Sequence, residues 1–339
     1  MTSQSLLQLE HRAVLQDYVR AIAWSGNGEL AACSAAGEVA LWHSGQLSLL
    51  QSAELTVSCL DFSSDGQFLA AGGQNGRVNI WQRSAGMTLL KTLDYGSVWI
   101  DRLAWSPVEN QLAIGVGRQV QVWSAREQES VATFDFAASS ILGLAWHPQG
   151  KRLAVSGHRY VKVWDFNEEF LLEVPGASLC PAWSVDGKYL ASGNFDRTVS
   201  VLEWGNPPPW LMQGFPKKVH SIAWSDLVTQ QQVPLLAAAC TQGIAVWYRS
   251  GSDWQNYTLT QHQGFVQAIA FQPGTFLLAS AGSEGCIYLW QQAQTLVQTL
   301  KGQTGFSCLA WNSTGDTLAA GGQQGELLIW SKTTNLANF

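Results

Sequence analysis

One stretch recurs eight times along this chain and limits what it can fold into. Its clearest copy runs from Phe306 to Trp330, FSCLAWNSTGDTLAAGGQQGELLIW. Each copy opens with a short apolar strand (a) ending in an aromatic, followed by a polar turn. A second strand (b) of Leu, Ala and small residues follows, then another turn and a β-branched strand (c) closed by Trp. The closing residues are Trp42, Trp81, Trp123, Trp164, Trp204, Trp247, Trp290 and Trp330, at steps of 39, 42, 41, 40, 43, 43 and 40 residues. Near-continuous apolar strands imply sheets buried on both faces, and Gly-bearing turns imply tight antiparallel hairpins.

A period near 40 with strand–turn–strand content is the pattern of a β-propeller blade. The expected fold is therefore all-β: a single domain over residues 1–339, an eight-bladed propeller with four antiparallel strands per blade. Strands a to c of the eight repeats fall at about 19–42, 57–81, 100–123, 141–164, 178–204, 219–247, 266–290 and 306–330. An outer strand (d), such as Met87–Leu93, follows each of the earlier repeats. After Trp330 only SKTTNLANF remains, whereas Ser5–Glu10 (SLLQLE) resembles the d segment TLVQTLK before the last repeat. The N-terminal strand, residues 5–10, is thus expected to be strand d of blade 8. It would close the ring and remove two exposed sheet edges.

Hydrophobic content of 46% against 13% charged suits such buried sheets. No apolar run reaches the ~18–20 residues that span a bilayer, so no membrane insertion is expected. The N-terminus lacks a secretory pattern, which points to the cytoplasm. A net charge of −6 with 19 scattered basic residues argues against a nucleic-acid partner. The six cysteines have no metal or redox spacing; Cys59, Cys180 and Cys308 share one small position in strand a and are expected to be structural. There is no GxSxG, HExxH, P-loop or paired CxxC, and the histidines are scattered, so no catalytic, metal or cofactor site is expected. His147, before Pro148 in an a–b turn, is expected to be solvated.

These eight units resemble the WD40-repeat family, in degenerate form. Only repeat 4 ends in Trp-Asp (Trp164-Asp165), and the few lysines and many glutamines resemble WD-repeat proteins of bacteria, including cyanobacteria. The resemblance implies a buried His, Ser, Asp and Trp network in each blade. No repeat carries all four, and repeat 5 comes nearest with Ser192 and Asp196. There, counting from Leu190, Leu202 falls where other repeats place Trp, and Trp204 lies two residues late. Six repeats end strand a with Trp and two with Phe62 and Phe271, so packing of a second aromatic set is expected to replace the polar network. Repeats 3, 4 and 6 have shorter b–c turns, which should make the top face uneven, and repeat 6 has a long a–b turn, Ser225–Pro234.

Residues that the repeat does not explain are the candidates for function. Fourteen of the 17 tryptophans belong to strands a and c; Trp99, Trp210 and Trp254 do not. Trp99 precedes strand a of repeat 3, where the other repeats have Tyr18, Thr56, Ser140, Ala177, Lys218, Phe265 and Gly305, a junction that the family resemblance places on the top face. Tyr18, Trp99 and Phe265, with Arg20, Asp101, Lys218, His220 and Gln267 nearby and Phe195 in a b–c turn, make a candidate partner-binding set. Trp210 and Trp254 begin outer strands and are expected to shield a blade edge. Asp61 interrupts a column of alanines, and Arg102 sits in the small column, which suggests an inter-blade ion pair.

The resemblance implies a non-catalytic scaffold, monomeric on its own, that binds partner proteins or peptides through top-face loops and needs no cofactor. The alternative is a small-ligand or metal-handling propeller using Arg20, Asp101 and His220 in a central channel; an enzyme ranks third.

Overall fold

The computed structural model describes residues 5–52, 55–166 and 168–333. These form an all-β structure: 31 strands in seven antiparallel sheets, six of four strands and one of seven. Within each repeat the strands lie in the order a-b-c-d. The seven-stranded sheet arises because Glu169–Trp183 runs unbroken from strand d of repeat 4 into strand a of repeat 5. Strand b is buried at almost every position, as its Ala- and Gly-rich sequence requires between two neighbouring sheets.

Strand a occupies Val19–Trp24, Val57–Phe62, Val266–Phe271 and Phe306–Trp311, as the repeat pattern predicts. In repeat 3 it shrinks to Leu103–Trp105, because the Ile100 amide donates to Gly73 O of the preceding repeat (3.0 Å). The slip at Trp204 is real. Leu190 pairs with Leu202, whereas Leu153 pairs with Trp164 and Leu236 with Trp247. Trp204 instead packs 5.2 Å from Trp183.

Leu7–Val14, rather than residues 5–10, forms the N-terminal strand, and it pairs antiparallel with Glu326–Lys332, strand c of the last repeat. Apolar clusters fill the seams between successive sheets. One of them packs Val19, Leu30 and Trp42 of the first repeat against Ala319, Leu327 and Ile329 of the last.

Packing does not act alone at these seams. Four strand-a indoles donate to an alanine carbonyl of another repeat: Trp146 to Ala104 (2.9 Å), Trp224 to Ala182 (3.1 Å) and Trp311 to Ala270 (3.3 Å) of the repeat before, and Trp24 of the first repeat to Ala310 of the last (3.1 Å). Each such bond nets about 0.5–1.5 kcal/mol. His147 corrects a second expectation. It is 3% exposed, lies edge-on 4.8 Å from Trp183, and reaches Gly187 O of the next repeat (3.2 Å) through Nε2. Its Nδ1 accepts from the Gln149 amide (3.1 Å), so the ring is neutral here, and burial lowers its pKa accordingly. The long a–b segment of repeat 6 is irregular only over residues 229–233, since Ser221–Val228 and Pro234–Cys240 carry the hairpin into it.

Candidate functional site

The top face is assembled from one recurring contact. The first residue after strand b donates its amide to the carbonyl of the residue before strand a. The pairs are Ala35 to Tyr18 (2.8 Å), Gln74 to Thr56 (2.9 Å), Phe195 to Ala177 (2.8 Å), Ser283 to Phe265 (2.8 Å) and Gln323 to Gly305 (2.7 Å). The backbone is thereby pinned while the side chains project away from the sheet. The third turn residue takes a left-handed conformation, with φ of 96° at Gly37, 69° at Gly76, 81° at Gly285 and 91° at Gly325. Repeat 5 places Arg197 there, at φ 71°. A residue with a Cβ in that region costs about 1–2 kcal/mol relative to the right-handed basin. The repeat's own glycine would remove that cost.

Short turns fall where the sequence places them, between Val116 and Gln119, Ser156 and His158, and Cys240 and Gly243. The last of these, in repeat 6, stands between the full-length turns of repeats 5 and 7. The resulting notch is a cavity of about 660 Å³, and it brings together five of the nine candidate residues: Phe195, Lys218, His220, Phe265 and Gln267. Arg197, Lys217 and Thr241 complete its lining. Phe195 and Phe265 are 58% and 59% exposed, and Lys218 Nζ lies 5.6 Å from the Phe195 ring. His220 Nε2 is 2.6 Å from Val266 O; a carbonyl only accepts, so that nitrogen carries the proton.

Buried polar networks hold both aromatic walls. In repeat 7, His262 Nδ1 meets Glu284 Oε1 (2.5 Å), and His262 Nε2 and Trp290 Nε1 both meet Ser280 Oγ (2.8 and 2.9 Å). This is the four-residue network implied by the resemblance, with Glu in place of Asp. The motif is disguised in the sequence because Glu284 stands where the resemblance implies Asp, and Glu bridges to His262 with one more methylene. Burial lowers the His262 pKa, opposed by Glu284. Glu284 Oε2 also accepts from the Gly264 amide (3.1 Å), and the Phe265 amide donates to Ser283 Oγ (2.9 Å). In repeat 5, Ser192 Oγ donates to Asn194 Oδ1 (2.8 Å), and Asn194 Nδ2 donates to Thr198 Oγ1 (3.0 Å) and Ser200 Oγ (3.1 Å). Thr198 Oγ1 in turn donates to Asp196 Oδ1 (2.8 Å), which fixes the turn carrying Phe195 and Arg197.

Tyr18, Arg20, Trp99 and Asp101 lie outside this cavity. The Arg20 guanidinium sits 6.0 Å from the Tyr18 ring, and Trp99 is 59% exposed on its own. The expected Asp61–Arg102 ion pair does not form. Asp61 Oδ2 accepts from the Trp105 amide (2.9 Å), while Arg102 donates to Leu142 O (2.6 Å) and Asp101 O (2.8 Å). In the repeat alignment Arg102 matches Cys59, two residues before Asp61, and two strand positions separate them by about 6.6 Å along the sheet. The inter-repeat ion pair among the described residues is Glu29–Arg83, with Arg83 Nη1 3.0 Å from Glu29 Oε1. Trp210 and Trp254 flank Arg249, whose guanidinium lies 4.7 and 5.7 Å from their rings, and Trp254 packs on Tyr189 and Trp224. Both are half-buried, as edge-shielding residues should be.

Arg197 and Lys217 were the charges missed by sequence reasoning. Arg197 had a legible signal, a basic residue at the turn position where repeats 1, 2, 7 and 8 have Gly. Among the described residues, no group of three or more His, Cys, Asp or Glu is gathered to hold a metal ion.

Known proteins give a consistent picture. The solved structure of Chaetomium thermophilum Sqt1, bound to the N-terminus of the ribosomal protein L10, superposes with a TM-score of 0.82 at 20% identity, covering 93% of this chain and 97% of that one. Meiotic fizzy-related protein 2 of Schizosaccharomyces pombe is 38% identical over 112 residues, 32% of this chain and 22% of the relative. The transcriptional corepressor LEUNIG_HOMOLOG of Arabidopsis thaliana is 24% identical over 293 residues, 84% of this chain and 36% of the relative. The chain thus spans only about a fifth to a third of the length of these two relatives. The family model for the WD domain, G-beta repeat, matches residues 46–82, 128–165, 176–202, 254–291 and 294–331, just over half of the chain. With that coverage, on sheets that each follow the same a-b-c-d order, this chain belongs to the WD40-repeat family.

Proposed function

We propose that this protein is a non-catalytic interaction platform: an eight-bladed propeller, closed by its N-terminal strand, that holds a partner protein on its top face. Eight blades and closure are supported by the bonds between the first and last repeats. Trp24 donates to Ala310 O, Ser307 Oγ donates to Val19 O (2.6 Å), and Leu7–Val14 sits beside the last strand c. The observation that carries the functional reading is the cavity over repeat 6, where two exposed phenylalanines are presented on rigid backbone. Exposed aromatics held in place are what a binding hot spot needs, because little entropy is lost when they are covered. The Sqt1 structure, a similar fold holding the N-terminus of another protein, supports a peptide segment as the element bound. The small-ligand channel has less support, since of Arg20, Asp101 and His220 only His220 lines the cavity. Six unpaired thiols suit a reducing compartment such as the cytoplasm.

Affinity capture from the native source tests this reading. The wild-type chain should recover a protein partner that the Phe195→Ala/Phe265→Ala variant loses and that a Trp210→Ala variant, altered away from the cavity, keeps. Equal recovery by all three would remove the top-face site.

A further inference from the structure

We propose that the cavity over repeat 6 takes an acidic, extended peptide segment that lays one apolar side chain against Phe195 and Phe265. This rests on the interaction-platform reading and specifies its partner.

Charge carries the argument. The protein is acidic overall, at net −6 with 19 Lys and Arg, yet three of those 19 (Arg197, Lys217 and Lys218) line this one cavity together with His220. No Asp or Glu lines it, and none of the three forms an ion pair among the described residues. The nearby carboxylates are bonded elsewhere and neither pairs with these cations: Asp196 accepts from Thr198, and Glu284 bonds His262 and the Gly264 amide. Gathering like charges without counter-charges opposes folding, so the complement is left for a ligand.

The backbone of Arg197 supports the same reading. Its φ of 71° occupies the position where four other repeats have Gly, so this repeat keeps a strained arginine at the rim instead of the unstrained residue.

The apolar component comes from Phe195 and Phe265, more than half exposed and pinned through their amides to Ala177 O and Ser283 Oγ. The side chains of Thr241 and Gln267, also in the lining, can pair with the backbone of an extended segment. A nucleic acid fits less well. Its backbone needs a track of cations along several phosphates, whereas these cations sit in a single notch on a molecule that repels polyanions at long range.

Fluorescence anisotropy with two labelled peptides tests the proposal. One is a short run of Asp and Glu with a central Leu; the other is its Asn and Gln counterpart. The acidic peptide should bind at least about tenfold more tightly and weaken as NaCl rises from ~50 to ~300 mM. Arg197→Gly, which restores the repeat's own turn residue, should weaken binding about fivefold with an unchanged or higher Tm. The Lys217→Gln/Lys218→Gln variant should weaken it further. Equal binding of both peptides, or binding indifferent to all three substitutions, would overturn acidic specificity. So would tighter binding of an oligothymidylate of the same charge. If the acidic peptide does not bind while partner capture still requires Phe195 and Phe265, the platform reading stands and the acidic partner falls.

Discussion

Asp61 stands in a strand-a column that is alanine in the other seven repeats, and its carboxylate meets only backbone. Burial pushes its pKa up to about 7, against the pull of the Trp105 and Phe62 amides. The ionised form is thus less favoured in the fold than in the unfolded chain. The penalty is absent below about pH 4, where both states are protonated, grows as pH rises, and is complete above about 7. Asp61→Asn keeps an oxygen for the Trp105 amide and removes the charge. It should stabilise the protein by on the order of 1–3 kcal/mol near pH 8, allowing for residual solvent contact, and by almost nothing near pH 4. Thermal melts of both proteins at the two pH values check this; a gain of equal size at both would show that the charge is not the cause. Asp61 was legible as an oddity because seven alanines surround it in the alignment. Its partner was not, since alternation assigns a side chain to a face without saying which neighbour it meets across a seam.

At the scale of elements, the N-terminal strand has the greatest reach, since Leu7–Val14 supplies the outer strand of a sheet whose other strands lie at the far end of the chain. Leu7 is buried with Leu300, Phe306 and Trp330, and the Leu15 amide reaches Gly325 O (2.9 Å) as the Tyr95 amide reaches Gly76 O (2.9 Å) in repeat 2. Leu7→Ala should cost about 2–4 kcal/mol, and deletion through Val14 should lower Tm by several degrees and promote association through the uncovered edge. Calorimetry and light scattering read both effects, and an unchanged melt after deletion would leave this strand no part in closure. The sequence located the segment through its likeness to TLVQTLK, but the paired strand lies at residues 7–14 instead of 5–10. Its bounds depend on the register with Glu326–Lys332, including a bulge between Leu9 and His11 that composition does not encode.

For the molecule as a whole, Cys59, Cys180 and Cys308 are useful probes because they occupy one equivalent position in repeats 2, 5 and 8. Burial pushes their thiols up to about 12, about 12 and about 11. Thiolates react and thiols do not, so all three should resist a thiol reagent in the native state near pH 8. In a single cooperative domain they should become reactive together across the urea transition. Separate transitions for the three would divide the chain into independent units. The sequence by itself determined the repeat, its strands, the aromatic positions and the slip at Trp204, because these follow from pairing within a sheet, where periods of two residues and hairpin turns are local. Tertiary structure alone decided that Phe195, Lys218 and Phe265 meet while Trp99 and Tyr18 stand apart, that His147 is buried, and that Asp61 and Arg102 miss each other. Those outcomes depend on how neighbouring sheets are offset and on the left-handed turn at Arg197, and contacts across a seam join residues dozens of positions apart that no local period relates.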